Sequence, residues 1–165
     1  MSKYWFDIDG WFTPAEGVVL QSLVRDKSVL EFGAFKGRST VCASQTATYI
    51  VSVDHHKGDE EAGWDDSTKE YLENIEHGHN LIIPLLCTFA EASKALPHGM
   101  FDVVLIDGAH DADSVEADTR LALQHVKLGG MFIYHDATYP SVQAGAKRVG
   151  INVTPIVDSL GYVKV

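Results

Sequence analysis

The chain has 165 residues and a formal net charge of −10, and 45% of its residues are hydrophobic and 22% charged. This size and composition indicate one globular domain over 1–165, and no apolar stretch has the length that spans a bilayer, so we expect no membrane partner. Because nucleic-acid binding depends on Lys and Arg and only 13 are present without an obvious cluster, we expect no nucleic-acid partner. The first residues lack the apolar core of a signal peptide, which predicts a cytoplasmic location.

The first predicted element is a helix over 13–24. Thr13 is a good N-cap, Pro14 suits the first helical position, and Glu16 stands where a capping box places its acid. We expect this helix to belong to an N-terminal segment, 1–25, that precedes a core over 26–165.

Strands and helices then alternate almost throughout the chain. Predicted strands cover 28–32, 49–54, 81–87, 101–107, 131–134, 151–154 and 161–165, and predicted helices cover 39–48, 67–77, 90–96, 113–127 and 141–149. Gly78 and Gly129-Gly130 stand where helices should end, and Pro84 indicates either a strand at the edge of the sheet or a bulge. The alternation predicts an α/β fold with a doubly wound, mostly parallel seven-stranded sheet and helices on both faces.

The most informative motif is the run Val-Leu-Glu-Phe-Gly-Ala-Phe-Lys-Gly-Arg-Ser-Thr, from Val29 to Thr40. It reads as the end of a strand, a turn with Gly33 and Gly37, and the start of a helix. Glycines let backbone N–H groups approach a ligand, and a helix N-terminus adds partial positive charge. The spacing differs from the dinucleotide pattern G-x-G-x-x-G. Glu31 at the strand end would repel a diphosphate and suits a ligand that carries an ammonium group.

Four acids each lie at the C-terminal end of a predicted strand: Glu31, Asp54, Asp107 and Asp136. The carboxyl ends of parallel strands meet at one edge of a sheet, where such folds bind ligands. Packing alone explains such a set poorly, because buried carboxylates need partners. Asp54 lies about twenty residues beyond the glycine-rich turn, the position from which a nucleotide-binding sheet contacts ribose hydroxyls.

The glycine-rich turn resembles motif I of the Rossmann-like S-adenosylmethionine-dependent methyltransferases. The stretch Ile-Asp-Gly-Ala-His over 106–110, then a helix, Gly129-Gly130 and a strand into His135-Asp136, is similar to small class I methyltransferases that act on sugars and natural products. These are relatives of the catechol-type O-methyltransferases, and the cephalosporin-hydroxylase-like proteins share the pattern. The resemblance extends from about Trp11 to Tyr139.

The resemblance implies S-adenosylmethionine as cofactor. The methionine ammonium would face Glu31 directly or through water, and the ribose would meet Asp54. The methionine carboxylate would take backbone N–H groups over 33–39, with Lys36 or Arg38 as a possible further partner. The implied cofactor-binding residues are Glu31, Gly33, Ala34, Phe35, Lys36, Gly37, Ser39, Thr40, Asp54, His55, Thr88, Phe89, Ala90 and Asp107. His56 either flanks the adenosine or lies exposed.

The resemblance also implies catalytic residues, namely Asp107, His110, His135 and Asp136. Many relatives bind a divalent metal such as Mg²⁺, for which Asp107 and Asp136 would be the ligands. Ala137 stands where catechol-type enzymes often place another oxygen ligand, so His110 or His135 would complete a site and favour a transition metal. Alternatively, one of these histidines is the general base, a role that suits a pKa near neutrality.

Several side chains carry weaker predictions. Cys42 and Cys87 are expected to be reduced core residues. His98 and His125 are expected to be solvated. Three aromatic residues are candidate walls of the acceptor pocket, although Trp11 fits a core position equally well; they are Trp11, Phe12 and Trp64.

The predicted function is therefore methyl transfer to a hydroxyl of a small molecule or sugar, with metal assistance possible. Two alternatives stay open, a same-fold metal-dependent enzyme of hydroxylase-like type and a non-catalytic module that binds S-adenosylmethionine. With one helix before the core and no large inserted lid, the acceptor side is expected to be either open or covered by a second subunit. This leads us to expect a homodimer.

Overall fold

The fold is seen in a computed structural model that describes residues 4–58 and 63–165. A short 3-10 turn over Trp5–Asp7 precedes the regular elements. The helices are α1 (Pro14–Leu23), α2 (Arg38–Ser44), α3 (Thr68–Ile75), α4 (Phe89–Ala95), α5 (Ala112–Ala122) and α6 (Pro140–Arg148). The strands are β1 (Ser28–Phe32), β2 (Tyr49–Val53), β3 (Leu81–Leu85), β4 (Phe101–Ile106), β5 (Val126–Tyr134), β6 (Pro155–Val157) and β7 (Leu160–Lys164). None of the described helices is long and apolar enough to cross a membrane.

The seven strands form one sheet in the order β3-β2-β1-β4-β5-β7-β6. β1 to β5 pair in parallel, and β7 runs antiparallel to both β5 and β6. The predicted doubly wound α/β sheet is confirmed, and β3, which contains Pro84, lies at its edge as expected. The strand order reverses between β1 and β4, which is where open α/β sheets bind ligands.

Alternate residues of the central strands face opposite sides of the sheet. One side buries residues such as Phe32 and Ile106 against α4, α5 and α6. The other side buries residues such as Val29 and Leu105 against α1 and α2. Because both faces are covered, the central strands are continuous apolar runs, and the polar groups at their ends meet along one edge.

The boundary between α5 and β5 differs from the prediction. The helix ends at Ala122, and β5 begins at Val126 and contains Gly129-Gly130, which were expected to terminate the helix. The register of β4 and β5 shifts between Phe101 and Val103. A Cβ on Gly130 would lie 2.8 Å from the Lys127 carbonyl oxygen. The two glycines therefore accommodate an irregularity in the strand and do not end the helix.

Three smaller predictions also change. The penultimate strand covers Pro155–Val157 rather than 151–154. His125 is fully buried, contrary to prediction, because its ring nitrogens bond Ser93 Oγ at 2.7 Å and the Pro97 carbonyl at 3.0 Å. Trp11 is 66% exposed, which excludes the core position. Cys42 and Cys87 are both free, Cys42 buried and Cys87 half-buried.

The residues that precede α1 pack on α1 and α2 through Trp5. Trp5 is 3% exposed, and a Cβ on Gly17 would overlap its ring and lie 3.1 Å from Cys42 Sγ. Gly17 therefore lets the segment that leads into the cleft lie flat on the helices.

We expect Gly17→Ala to destabilise the protein by about 1–3 kcal/mol through overpacking. Helix propensity alone predicts the opposite, a gain of about 1 kcal/mol. Ser22→Ala, at an exposed position of α1, is the matched control and should leave stability unchanged or raise it slightly. Urea unfolding measures both variants. Gly17→Ala at least as stable as the wild type would show that the contact is not tight.

Candidate active site

A cleft of about 660 Å³ opens at the carboxyl ends of the central strands. It brings together the predicted site residues Gly33, Ala34, Phe35, Ser39, Asp54, His55, Thr88, Phe89, Ala90, Asp107, His110, His135 and Asp136. Four predicted residues do not line this cleft: Glu31, Lys36, Gly37 and Thr40. Trp64 also lies outside its walls and is 73% exposed.

Asp54 holds the glycine-rich turn in place. Its Oδ2 accepts hydrogen bonds from the backbone N–H groups of Ala34 at 2.8 Å and Phe35 at 2.9 Å, and its Oδ1 accepts one from His56 N–H at 2.7 Å. Gly33 has φ +94°, and any side chain there would overlap the Asp107 carbonyl. The turn therefore lies directly against the end of β4, and only glycine permits this approach.

Glu31 lies beneath the turn rather than in the cleft. Its carboxylate is 1% exposed and accepts hydrogen bonds from the hydroxyls of Ser39 at 2.7 Å, Thr40 at 2.5 Å and Ser52 at 2.7 Å. Burial raises the pKa of Glu31 to about 7, and the three hydroxyl bonds oppose that rise. In this position the carboxyl fastens the first turn of α2 to β1 and β2.

The predicted cation Lys36 is also directed away from the cleft. Its Nζ forms ion pairs with Asp9 at 3.0 Å and Glu70 at 3.2 Å. Arg38 lines the cleft instead, and its Nη1 donates a hydrogen bond to the Gly10 carbonyl at 2.6 Å. Arg38 thereby ties the N-terminal segment to the start of α2.

His135 is the centre of a buried cluster on the other side of the cleft. Its Nδ1 lies 3.1 Å from Asp107 Oδ1 and 2.9 Å from Asp136 Oδ2, and its Nε2 lies 3.4 Å from Glu16 Oε2. Burial alone would lower the pKa of His135, but the carboxylates of Asp107, Asp136 and Glu16 raise it far above neutrality. His135 is therefore an imidazolium that joins three carboxylates.

Sequence reasoning missed Glu16 and Ser159. Glu16 completes the predicted capping box with Thr13, yet it also accepts hydrogen bonds from Ser159 N–H at 2.9 Å and Ser159 Oγ at 2.7 Å. Burial acts to raise the pKa of Glu16, but His135, Thr13 and Ser159 together lower it to about 2. The capping box already accounts for an acid at position 16, so no sequence signal indicated that Glu16 also has a partner far along the chain.

His110 and Asp136 lie closer to the mouth of the cleft. His110 Nε2 is 3.1 Å from Asp136 Oδ2, and their side chains are 26% and 15% exposed. Burial opposes the effect, but hydrogen bonds from His110 and His135 hold the pKa of Asp136 well below its usual range. Suitable donor atoms of Asp107, His110 and Asp136 lie within 4.8 Å of one another, which is compact enough for one metal ion.

Aromatic rings border the open side. Phe12 stacks on the His135 ring at a centroid distance of 4.9 Å, and Trp11 leans on Phe35 at 4.9 Å. Tyr139, which the sequence did not indicate, contacts the His110 ring edge-on at 5.6 Å. Trp11 and Phe12 therefore line the cleft, and Tyr139 lines it beside His110.

The chain matches the model of a family described as a methyltransferase domain over residues 30–137. This match covers the motif I turn, all four acid-bearing strand ends and the helices between them. The chain therefore belongs to this family and has the class I methyltransferase fold, which confirms the resemblance predicted from the sequence. Family membership also supports S-adenosylmethionine as the cofactor.

Solved structures with the same fold are distant in sequence. An O-methyltransferase from Bacillus cereus in complex with S-adenosylhomocysteine aligns with a TM-score of 0.69 at 16% identity, over 96% of this chain and 84% of that one. A putative O-methyltransferase from Klebsiella pneumoniae gives 0.66 at 16%, over 94% and 81%. The precorrin 8w decarboxylase of Methanobacterium thermoautotrophicum gives 0.66 at 15%, over 96% and 88%. At these identities the likeness establishes the fold alone.

Two acids that are shielded from solvent, the buried Glu31 and the half-buried Asp118, make the stability of the protein depend on pH. Burial, with a smaller contribution from Asp111, raises the pKa of Asp118 to about 7, and Glu31 shifts in the same direction. Both carboxyls bind protons more tightly in the folded state than in the unfolded state. They therefore support folding fully below about pH 4, and this support is lost as the pH rises through about 7.

We expect Asp118→Asn to stabilise the ligand-free protein by about 1–2 kcal/mol at pH 8 and to change little at pH 4–5, because Asn resembles the neutral acid. Urea unfolding at both pH values measures the difference. Glu76→Gln, at an exposed carboxyl, is the control and should have no effect at either pH. A gain that is equal at both pH values would contradict the buried-charge explanation.

Proposed function

We propose that the protein is an S-adenosylmethionine-dependent O-methyltransferase that acts on a hydroxyl group of a small molecule or sugar. The observation that carries the proposal is the arrangement of the cleft: a turn held open by Asp54 lies beside a histidine–carboxylate cluster at the same sheet edge. The first provides a cofactor site and the second provides groups that activate a hydroxyl.

The cofactor half of the cleft supports binding through the turn and Asp54. A carboxylate has about four acceptor sites, and Asp54 uses three of them on backbone N–H groups. The remaining site, with neighbouring His55, is available to ribose hydroxyls. When bound, S-adenosylmethionine supplies a methyl group on a sulfonium, which is already a good leaving group. The protein's main task is then to align the acceptor and remove its proton.

The environments of the two histidines support different roles for them. His135 is 5% exposed, engaged through both nitrogens and charged, so it is poorly suited to accept a proton. His110 is more exposed and its Nε2 faces the Asp136 carboxylate. We assign His110 as the general base, with Asp136 orienting it. Trp11, Phe12 and Tyr139 would border the acceptor and exclude water.

A divalent metal is the second candidate for activating the hydroxyl. Asp107, Asp136 and His110 fit such an ion, because two carboxylates and an imidazole converge within 4.8 Å. The ion would supply positive charge that lowers the pKa of the acceptor hydroxyl. In that case Asp136 would no longer orient His110. His135 would hold the carboxylates of Asp107 and Asp136 in place from the buried side of the site.

The first test measures binding of S-adenosylhomocysteine by calorimetry. We expect micromolar affinity for the wild type and a loss of about tenfold or more for Asp54→Ala, which frees the turn and removes the ribose partner. Asp26→Asn is the matched control, because Asp26 is exposed and its φ of +58° suits Asn. A wild type that binds neither S-adenosylhomocysteine nor S-adenosylmethionine would exclude the proposal.

The second test measures S-adenosylhomocysteine release across a panel of hydroxylated sugars and phenols. We expect His110→Ala to lower turnover by about 10²–10⁴-fold while cofactor affinity stays within about threefold. His79→Ala, at an exposed histidine far from the cleft, should retain full activity. Loss of activity in EDTA, restored by Mg²⁺ or Mn²⁺, would favour the metal over the base, and stoichiometric iron without methyl transfer would favour a hydroxylase-like enzyme.

A cytoplasmic location and a homodimer remain predictions. The open acceptor side and the exposed Trp11 support a second subunit over the cleft. Light scattering at working concentration measures the mass directly, and a monomer would contradict the dimer.

A further inference from the structure

The two-residue turn between β6 and β7 contacts the histidine–carboxylate cluster from outside the cleft. Ser159, the second residue of this turn, uses all three of its polar groups there. Its N–H and Oγ donate to Glu16 Oε1 at 2.9 Å and 2.7 Å, and its Oγ lies 3.2 Å from His135 Nε2. Its carbonyl accepts a hydrogen bond from the N–H of Ala137 at 2.7 Å. Ser159 does not line the cleft, and the proposed mechanism gives it no role.

Glu16 fits its position only as a carboxylate. Its Oε1 faces the Ser159 N–H at 2.9 Å, and its Oε2 faces the Thr13 N–H at 2.8 Å. An amide in the same place would turn its NH₂ group towards one of these N–H donors in either orientation. The carboxylate is fully buried, so water would not relieve that mismatch. Glu16 is thereby fixed, with its Oε2 3.4 Å from His135 Nε2.

The His135 ring keeps these contacts in one orientation only. Its Nε2 faces Glu16 and Ser159. Its Nδ1 faces Asp107 and Asp136 on the other side. Turning the ring over about its bond to Cβ would exchange each nitrogen for a carbon, so all of these contacts would be lost. The Nε2 side therefore helps to determine how Nδ1 is presented to the two aspartates.

The backbone that carries Asp136 is held from the same turn. Asp136 has a φ of +52°, a left-handed conformation that is uncommon for a residue with a side chain and persists where its surroundings impose it. The next residue, Ala137, donates its N–H to the Ser159 carbonyl and accepts at its own carbonyl from Gln143 Nε2 at 2.8 Å. Ser159 thus supports Asp136 both through the His135 ring and through the chain.

Asp136 matters for the reaction because its Oδ2 lies 3.1 Å from His110 Nε2. In the proposed function, on which this inference rests, that contact orients the base. We propose that Ser159 is a positioning residue for methyl transfer, which fixes Asp136 through the Glu16–His135 contact and through the backbone. A displacement of reacting groups by about 1 Å can slow a reaction by about 10²-fold, so loss of a hydroxyl outside the cleft should lower turnover.

The first measurement follows the His135 ring by proton–nitrogen NMR of protein that carries ¹⁵N-labelled histidine, at pH 7. In Ser159→Ala we expect the Nε2–H signal to change and the Nδ1–H signal, on the side that faces the aspartates, to change with it. Ser159→Thr keeps the hydroxyl and should restore both signals. A change confined to Nε2–H would overturn the proposal, because the effect would then stop at the contact that was removed.

The neighbouring residue provides a matched control. Asp158 Oδ2 accepts a hydrogen bond from Thr13 Oγ1 at 2.7 Å, so it ties the same turn to the start of α1 without bonding a member of the cluster. Asp158→Gly removes this bond, and its φ of +44° suits glycine. Both His135 signals and the turnover should stay as in the wild type. Equal effects of Asp158→Gly and Ser159→Ala would show general loosening of the turn and contradict the proposal.

The second measurement is turnover with the sugar or phenol that gives the fastest S-adenosylhomocysteine release in the wild type. Ser159→Ala should lower kcat by about tenfold, while the KM for the acceptor and the affinity for S-adenosylhomocysteine change by less than about threefold. Ser159→Thr should recover most of the loss. In a His110→Ala background, Ser159→Ala should cause little further loss, because both act on the same contact. A full additional tenfold loss would indicate an independent structural effect and overturn the proposal.

The two measurements separate this inference from the proposed function. A wild type that neither binds S-adenosylhomocysteine nor releases it overturns the proposed function and the role of Ser159 in methyl transfer, while the NMR comparison still decides whether Ser159 positions the His135 ring. An active enzyme whose kcat is unchanged in Ser159→Ala overturns the positioning role alone.

Discussion

The charged contact between His135 and its three carboxylates is the interaction on which the rest of the site depends. It joins α1 through Glu16, the end of β4 through Asp107 and the turn after β5 through Asp136. Ser159, just before β7, bonds both Glu16 and His135. Removing one member would leave a buried charge uncompensated, which is strongly destabilising. The cluster therefore holds the N-terminal segment and the last strands in fixed positions relative to the sheet edge. The acceptor side of the cleft is built on this arrangement.

The cofactor side has a comparable organisation with a different chemistry. Here two carboxyls support the glycine-rich turn. Glu31 accepts hydrogen bonds from three hydroxyls of α2 and β2, and Asp54 accepts hydrogen bonds from backbone N–H groups of the turn. A turn with Gly33 in a left-handed conformation is flexible by itself, so these contacts are what keep its N–H groups in place. Preorganisation of this kind reduces the ordering that a ligand must otherwise impose.

Much of this was accessible from the sequence because the relevant physics is local. Strand and helix periods, the Thr13–Glu16 capping box and the acids at the strand ends are read within a few residues. The boundary of α5 was misjudged because two glycines that normally end a helix accommodate a strand irregularity instead. His125 was misjudged because its two partners, Ser93 in α4 and Pro97 in the loop that follows, lie 32 and 28 residues away in the chain. A polar residue whose hydrogen-bonding partners are distant in the chain cannot be distinguished from a solvated residue by the sequence around it.

By itself the sequence determined that this is a class I methyltransferase fold, and it identified the turn and the four acids along one edge. Only the tertiary structure decided which role each acid has. Glu31 and Asp54 hold the glycine-rich turn in place. Asp107 and Asp136 bind the His135 imidazolium, and Glu16 binds it from the first helix. The physical reason is that the ionisation and role of a buried carboxyl depend on burial and on partners many residues away. Periodicity and motif spacing carry no information about either.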